Sequence, residues 1–320
     1  MKAPVKIAAI LFAFLSSVSA GKPTSQSEAT QEASKNQDQR LNLHARLVTV
    51  SVSVSDTFGR YVTGLRKENF DVFDNGVKQE ISHFSDEDAP ISLGIIYDVS
   101  GSMTGLTGQS LVALTRFFDE SHVDDEFFLI AFSSKPYLLQ DYTVSPNEII
   151  NRVTLAKAKG NTALYDAVYL GVEKARQGRH SKKVLLVISD GEENNSRYSG
   201  KELRGLLQEA DVQIYAIGIS WFYGGASTLR QLTGLTGGAA FFPASDEEVR
   251  DAYMRIAIAL RHQYSLGFYP SDSDRSAVTA SRGRQQAQQV WHKLDVKVTP
   301  IKGLGRLSLK HRQGYEAFQE

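Results

Sequence analysis

The chain has 320 residues, 42% of them hydrophobic and 22% charged, with 36 Lys and Arg against 36 Asp and Glu and no cysteine. That much apolar content excludes wholesale disorder, and a formal net charge of zero argues against nucleic-acid binding by phosphate neutralisation. The absence of cysteine excludes a disulfide framework, thiolate zinc sites, iron–sulfur clusters and a cysteine nucleophile.

Residues 1–20 read as a secretory signal peptide. Lys2 and Lys6 precede an apolar run, Ile7 to Val18, interrupted only by Ser16 and Ser17, and Val18-Ser19-Ala20 offers a small-residue cleavage site. The run is shorter than the ~20 residues a spanning helix needs. Residues 21–40 carry almost no large apolar side chain and read as a disordered linker. An exported chain without cysteine is expected to be a bacterial product, periplasmic or secreted.

Residues 41–89 read as a β segment. Val48, Val50, Val52 and Val54 alternate with Thr49, Ser51, Ser53 and Ser55, the period of a half-buried strand. Asn75-Gly76 separates Phe70–Phe73 from Val77–Ile81 and predicts a hairpin with a type I′ turn.

From Pro90 the texture changes. Ile91–Tyr97, Phe127–Phe132, Val184–Ile188 and Val212–Ile219 are nearly continuous apolar runs, as in strands buried on both faces of a parallel sheet. Helical patterns lie between them: Leu164, Val168 and Val172 fall four apart, opposite Glu173, Lys174 and Arg176. The last helix opens on the capping sequence Ser245-Asp246-Glu247-Glu248 and presents Val249, Ala252, Tyr253, Ile256 and Leu260 on one side. The expectation for residues 91–262 is a doubly wound, mostly parallel α/β sheet flanked by helices, with Pro136–Thr143 as an added edge strand. Residues 263–320 return to β texture: Tyr264–Tyr269, an alternating Leu294, Val296 and Val298, and Leu307–Lys310, with a polar loop at Ser271–Gln289. Neither β flank is long enough for a good core of its own, so the two are expected to pair as a small β-sandwich.

The chemistry concentrates at the strand ends. The first α/β strand runs into Asp98-Val99-Ser100-Gly101-Ser102, which places one carboxylate and two hydroxyls in a tight loop where doubly wound sheets bind ligands. Gly160-Asn161-Thr162 precedes a helix and adds a hydroxyl, and Ser189-Asp190-Gly191 ends another strand with a second carboxylate. An oxygen-only set with few charges suits a hard divalent cation that keeps water or an outside oxygen in its shell. Taken singly, the same residues read as a solvated turn, a helix cap and a turn, respectively. Glu192, Glu193 and Asn194 are either a solvated loop or tuners of the site's charge.

On these residues the sequence resembles the von Willebrand factor type A domains, with Asp98, Ser100, Ser102, Thr162 and Asp190 matching the metal-ion-dependent adhesion site. The resemblance implies Mg²⁺, Mn²⁺ or Ca²⁺, held directly by the two serines and the threonine and largely through water by the aspartates. It also implies a partner protein whose Asp or Glu completes the shell. The flanks, including Tyr264–Pro270 and Trp291–Leu294, look like an exported bacterial subgroup of that family.

Other chemistries fit poorly. The glycine-rich stretch from Gly101 to Ser110 lacks the Gly-Lys-Ser/Thr of a P-loop, and no Gly-x-Gly-x-x-Gly follows the first strand. Ser100 is not in a Gly-x-Ser-x-Gly elbow. No histidine pair has zinc-protease spacing, and Asp272–Ser276 lacks the glycine and glutamate of an EF-hand. The expected function is therefore a non-enzymatic, metal-dependent protein-binding module. A structural envelope component braced by metal and a metal-assisted hydrolase are the alternatives. Trp221-Phe222-Tyr223 is either partner-contact surface or loop packing.

Overall fold

In the computed structural model the described residues are 47–104, 107–219, 225–270, 289–300 and 305–318. The signal-peptide and linker readings, the Trp221 cluster and nearly all of the 271–289 loop lie outside them.

The centre of the fold is a six-stranded sheet. Its strands are β5 (Ile91–Asp98), β6 (Glu126–Phe132), β7 (Pro136–Thr143), β8 (Lys182–Ser189), β9 (Gln213–Gly218) and β10 (Ala240–Phe241), in the order β10-β9-β8-β5-β6-β7. All neighbours are parallel except β7, which runs antiparallel to β6 on the edge. The continuous apolar runs are explained by cover on both faces. Ile91, Leu93, Ile95 and Tyr97 of β5 point to one core, with α1 (Thr107–Asp119), α2 (Pro146–Leu155) and α6 (Asp246–Arg261). Ile96 and its neighbours Phe128, Ile130 and Leu185 point to the other, with α3 (Leu164–Ala175), α4 (Gly200–Glu209) and α5 (Gly225–Thr236). Gly171 of α3 lets that helix lie close on β5, because a Cβ there would stand 2.7 Å from Ile96 Cδ1.

The β flanks pair with each other. β1 (Val48–Ser55) runs antiparallel to β11 (Gln263–Phe268), with Val52 opposite Tyr264. β2 (Phe70–Asp74) pairs with β12 (Gln289–Val298), with Val72 opposite Val296. With β3 (Val77–Gln79), β4 (Ile81–Ser85), β13 (Ser308–Lys310) and β14 (Gly314–Phe318) they make two four-stranded sheets, β13-β1-β11-β4 and β14-β12-β2-β3. Both sheets send side chains into a single core that includes Val50, Val52, Phe70, Val72, Leu266 and Leu294, so the expected sandwich forms.

The turn at Asn75-Gly76 is as expected, whereas the strand after it is not. Asn75 and Gly76 have φ of 48° and 84°, as a type I′ turn requires. The strand after them, read as one run through Ile81, breaks at Glu80 into β3 and β4, which belong to different sheets. β14 had no clear signal. It carries a buried polar contact: the Tyr315 hydroxyl donates to Asp74 Oδ2 at 2.6 Å, and His292 Nδ1 meets Asp74 Oδ1 at 2.9 Å, all inside the sandwich.

Candidate metal centre

The five predicted residues come from three loops at the carboxyl edge of the central sheet. Strand β5 lies between β6 and β8, with Asp98 in register with Phe132 and Tyr97 with Ile188. The order of the strands therefore brings the end of β5 beside the end of β8, where Asp190 follows Ser189.

Asp98 is fully buried, and its carboxylate is spoken for on both oxygens. Oδ1 accepts the Ser100 amide at 2.8 Å, and Oδ2 accepts the Ser189 hydroxyl at 2.6 Å. Ser100 is buried and Ser102 exposed, and their hydroxyls are 3.0 Å apart at the start of a one-turn 3-10 helix, Gly101–Met103. Asp190 is buried, and its Oδ1 accepts the Glu192 amide at 3.0 Å. Gly191, with φ of +79°, turns the chain sharply here; a Cβ on it would overlap the backbone of Gly225, where α5 begins.

Thr162 is buried, but it does not cap the following helix. The N-cap of α3 is Ala163, which makes no side-chain cap bond. The Thr162 amide donates to Asn194 Oδ1 at 2.9 Å, and its carbonyl accepts the amides of Asn194 and Asn195. Among the described residues nothing hydrogen-bonds the Thr162 hydroxyl.

The loops hold one another. Val99 N–H donates to the Phe132 carbonyl, Lys159 N–H to Val99, Gly101 N–H to Gly160, and Ala163 N–H to Ser133. The Asn161 amide donates to Ser134 Oγ, and Asn195 Nδ2 to the Ser134 carbonyl. Beyond Asp190 two carboxylates fasten the chain to the start of α3. Glu193 accepts from the amides of Tyr165, Asn195 and Ser196 and from the Ser196 hydroxyl. Asp166 accepts the amides of Arg197 and Tyr198 and Arg197 Nε. Glu193 and Asn194 are thus braces of the loop, whereas Glu192 is exposed. The sequence reading missed Ser189, Asp166, Ser133 and Ser134 as positioning groups. For Ser189, Ser133 and Ser134 a polar residue at a strand end was the available signal; Asp166, in the first turn of α3, carried none.

Burial pushes the Asp98 carboxyl up to about 6; bonds from Ser100 and Ser189 pull against that shift, and the nearby Asp190 carboxylate adds to it. Among the described residues no Lys, Arg or His pairs with Asp98 or Asp190. A buried carboxylate, a second one beside it and no positive counter-charge make a donor set that a hard divalent cation fits, since such an ion takes oxygen ligands and supplies the missing charge. Among the described residues no three His, Cys, Asp or Glu side chains gather as a metal site, so a cation here depends on hydroxyl ligands.

The chain is 29% identical over 209 residues to inter-alpha-trypsin inhibitor heavy chain H4 of Bos taurus, a match covering 58% of this chain and 22% of that protein. This chain therefore spans less than a quarter of that relative's length. Among solved structures, a von Willebrand factor type A protein from Catenulispora acidiphila is similar at 10% identity and TM-score 0.46, covering 87% of this chain and 74% of that one. The vWF domain of the type V pili tip protein Mfa5 from Porphyromonas gingivalis is similar at 10% identity and TM-score 0.45, covering 62% and 99%. The model of the von Willebrand factor type A domain matches residues 93–255, just over half of the chain, and the chain belongs to that family.

Proposed function

We propose that the chain is an exported, periplasmic or secreted protein-binding module. A divalent cation, Mg²⁺, Mn²⁺ or Ca²⁺, sits among Asp98, Ser100, Ser102, Thr162 and Asp190, and an Asp or Glu of a partner protein takes its open position. Domains of this family commonly mediate protein interactions. The observation that supports the reading is the buried pair of carboxylates, Asp98 and Asp190, which among the described residues has no Lys, Arg or His partner, on loops that also carry the hydroxyls of Ser100, Ser102 and Thr162. The ligand set leaves room in an octahedral shell for an outside oxygen.

Two features weigh against the alternatives. The loops are already fastened by their own hydrogen bonds, so a cation is not needed to brace them. No histidine stands in any of them to serve as a general base for hydrolysis. The test is capture of envelope and secreted proteins by the full chain with Mn²⁺, with EDTA, and as Asp98→Ala. A protein retained only by the unmodified chain with metal supports the reading; identical capture under all three conditions overturns it.

A further inference from the structure

Four cationic side chains stand around this site: Lys135, Lys157, Lys159 and Arg197, all exposed. They sit on the loops whose hydrogen bonds tie them to the Asp98 loop. Lys159 donates its amide to Val99, and Lys157 lies two residues before it. Lys135 offers its carbonyl to the Ser133 amide, and Ser133 in turn accepts from Ala163 beside Thr162. Arg197 lies on the loop that Asn194 and Asn195 clip to Thr162. Among the described residues the three lysines make no ion pair. On these loops the four cations are exposed, whereas of the acids only Glu192 is: Asp98, Asp166 and Asp190 are buried, and Glu193 is half-buried and hydrogen-bonded to backbone amides.

Arg197 is the built member of this set. Its Nε bonds to Asp166 Oδ2 at 3.1 Å, and its side chain is 81% exposed although that anchor is buried. Its guanidinium lies 5.8 Å from the ring of Tyr198, which stacks on Tyr169 with centroids 3.9 Å apart and planes 6° apart. The Nε bond to Asp166 and the cation–π contact with Tyr198 orient the guanidinium while most of it faces solvent, an arrangement suited to bidentate capture of a carboxylate.

We propose that this arc recognises an acidic polypeptide segment: one carboxylate meets the cation, and the neighbouring Asp or Glu residues lie across Arg197 and the three lysines. The inference rests on the metal-dependent reading above. It narrows the partner from any protein with one accessible acid to one with an acidic run.

The probe is a fluorescent oligo-aspartate peptide, titrated with the full chain in Mn²⁺, with an oligo-lysine peptide as control and direct calorimetric titration of Mn²⁺ alongside. Arg197→Gln is expected to weaken peptide binding roughly tenfold, and the combined Lys135→Gln, Lys157→Gln and Lys159→Gln variant to weaken it by a similar factor. Neutralising the three lysines, which make no ion pair among the described residues, lowers repulsion on Mn²⁺, so in that variant the affinity for the ion alone stays level or rises. Opposite movement of the two affinities is a sign that misfolding would not produce. Added salt weakens peptide binding in the unmodified chain more than in the variants. Variants that bind the peptide as tightly as the unmodified chain, while Asp98→Ala loses it, overturn the arc and leave the metal reading standing. A chain that binds Mn²⁺ but no peptide also overturns it, and a chain that binds no Mn²⁺ overturns both readings.

Discussion

The Ser189 hydroxyl reaches across from the end of β8 to the buried Asp98 carboxylate at the end of β5, 2.6 Å away, and the same oxygen accepts the Gly191 amide at 3.0 Å. One side chain thereby sets both the carboxylate of the first loop and the turn that carries Asp190. Ser189→Ala deprives a buried charged acceptor of its donor and leaves the Gly191 amide unpartnered. A loss of about 1.5–3 kcal/mol is expected in urea denaturation without metal, together with weaker Mn²⁺ binding by calorimetry. Unchanged Mn²⁺ affinity in Ser189→Ala would show that Asp98 needs no help from β8.

Asp98 also gives the metal-free protein a pH signature. Its carboxyl titrates near 6 in the folded chain against 3.8 unfolded, because burial disfavours the charge. Between those values the native state holds the proton and the unfolded state does not, so stability falls as pH rises from 3.8 to about 6. The full span is of the order of 3 kcal/mol. Asp98→Asn is expected to remove this slope. Mn²⁺ must displace the proton, so its affinity should drop as pH falls below about 6. A flat stability profile over this range in the unmodified protein, without metal, would contradict the assignment.

Much of this was legible before the fold. Continuous apolar runs marked buried parallel strands because helices cover both faces, and the Asp98 and Asp190 loops were legible because their carboxylates sit at strand ends, the Thr162 loop because its hydroxyl stands just before a helix. What stayed hidden depends on strand order and on contacts between distant loops. Asp166 and Glu193 look like ordinary surface acids in sequence, yet Asp166 is buried and both saturate backbone amides of the 190–199 loop. β14 escaped because its pairing depends on the buried Asp74, His292 and Tyr315 group, whose members are 218 and 241 residues apart from Asp74. No periodic apolar pattern announces such a contact.

Lys182 supplies a stability test remote from the binding edge. It opens β8 at the opposite end of the sheet, where its ammonium donates to the Leu260 carbonyl. Burial first, and then the Arg261 charge, lower its titration to about 7, while Asp88 and Asp125 resist. Between about 7 and 10.5 the unfolded state binds a proton that the native state lacks, so stability rises with pH through that window. Lys182→Met is expected to flatten the rise and to stabilise the fold near pH 7, since no buried ammonium remains. Mn²⁺ affinity should stay as it was. Denaturation midpoints that keep their upward slope in Lys182→Met would assign the effect to another group.

The turn behind Asp190 makes a steric prediction of a different kind. Gly191 has φ of +79°, and its backbone lies against Gly225 so closely that a Cβ on either residue would overlap the other; one on Gly225 would also meet the Asp190 carbonyl. Gly225→Ala therefore has no space at the start of α5 and must push the 190–191 turn away from Asp98. Gly191→Ala adds a left-handed conformation that costs an L-residue about 1–2 kcal/mol. Both variants are expected to weaken Mn²⁺ binding, with Gly191→Ala the less stable of the two by urea denaturation. Gly234, with open space around its Cα on the same helix, is the control: Gly234→Ala adds helix propensity without a clash and should raise stability by up to about 1 kcal/mol. If Gly225→Ala binds Mn²⁺ as well as Gly234→Ala does, the position of Asp190 is not set by the contact between these two glycines.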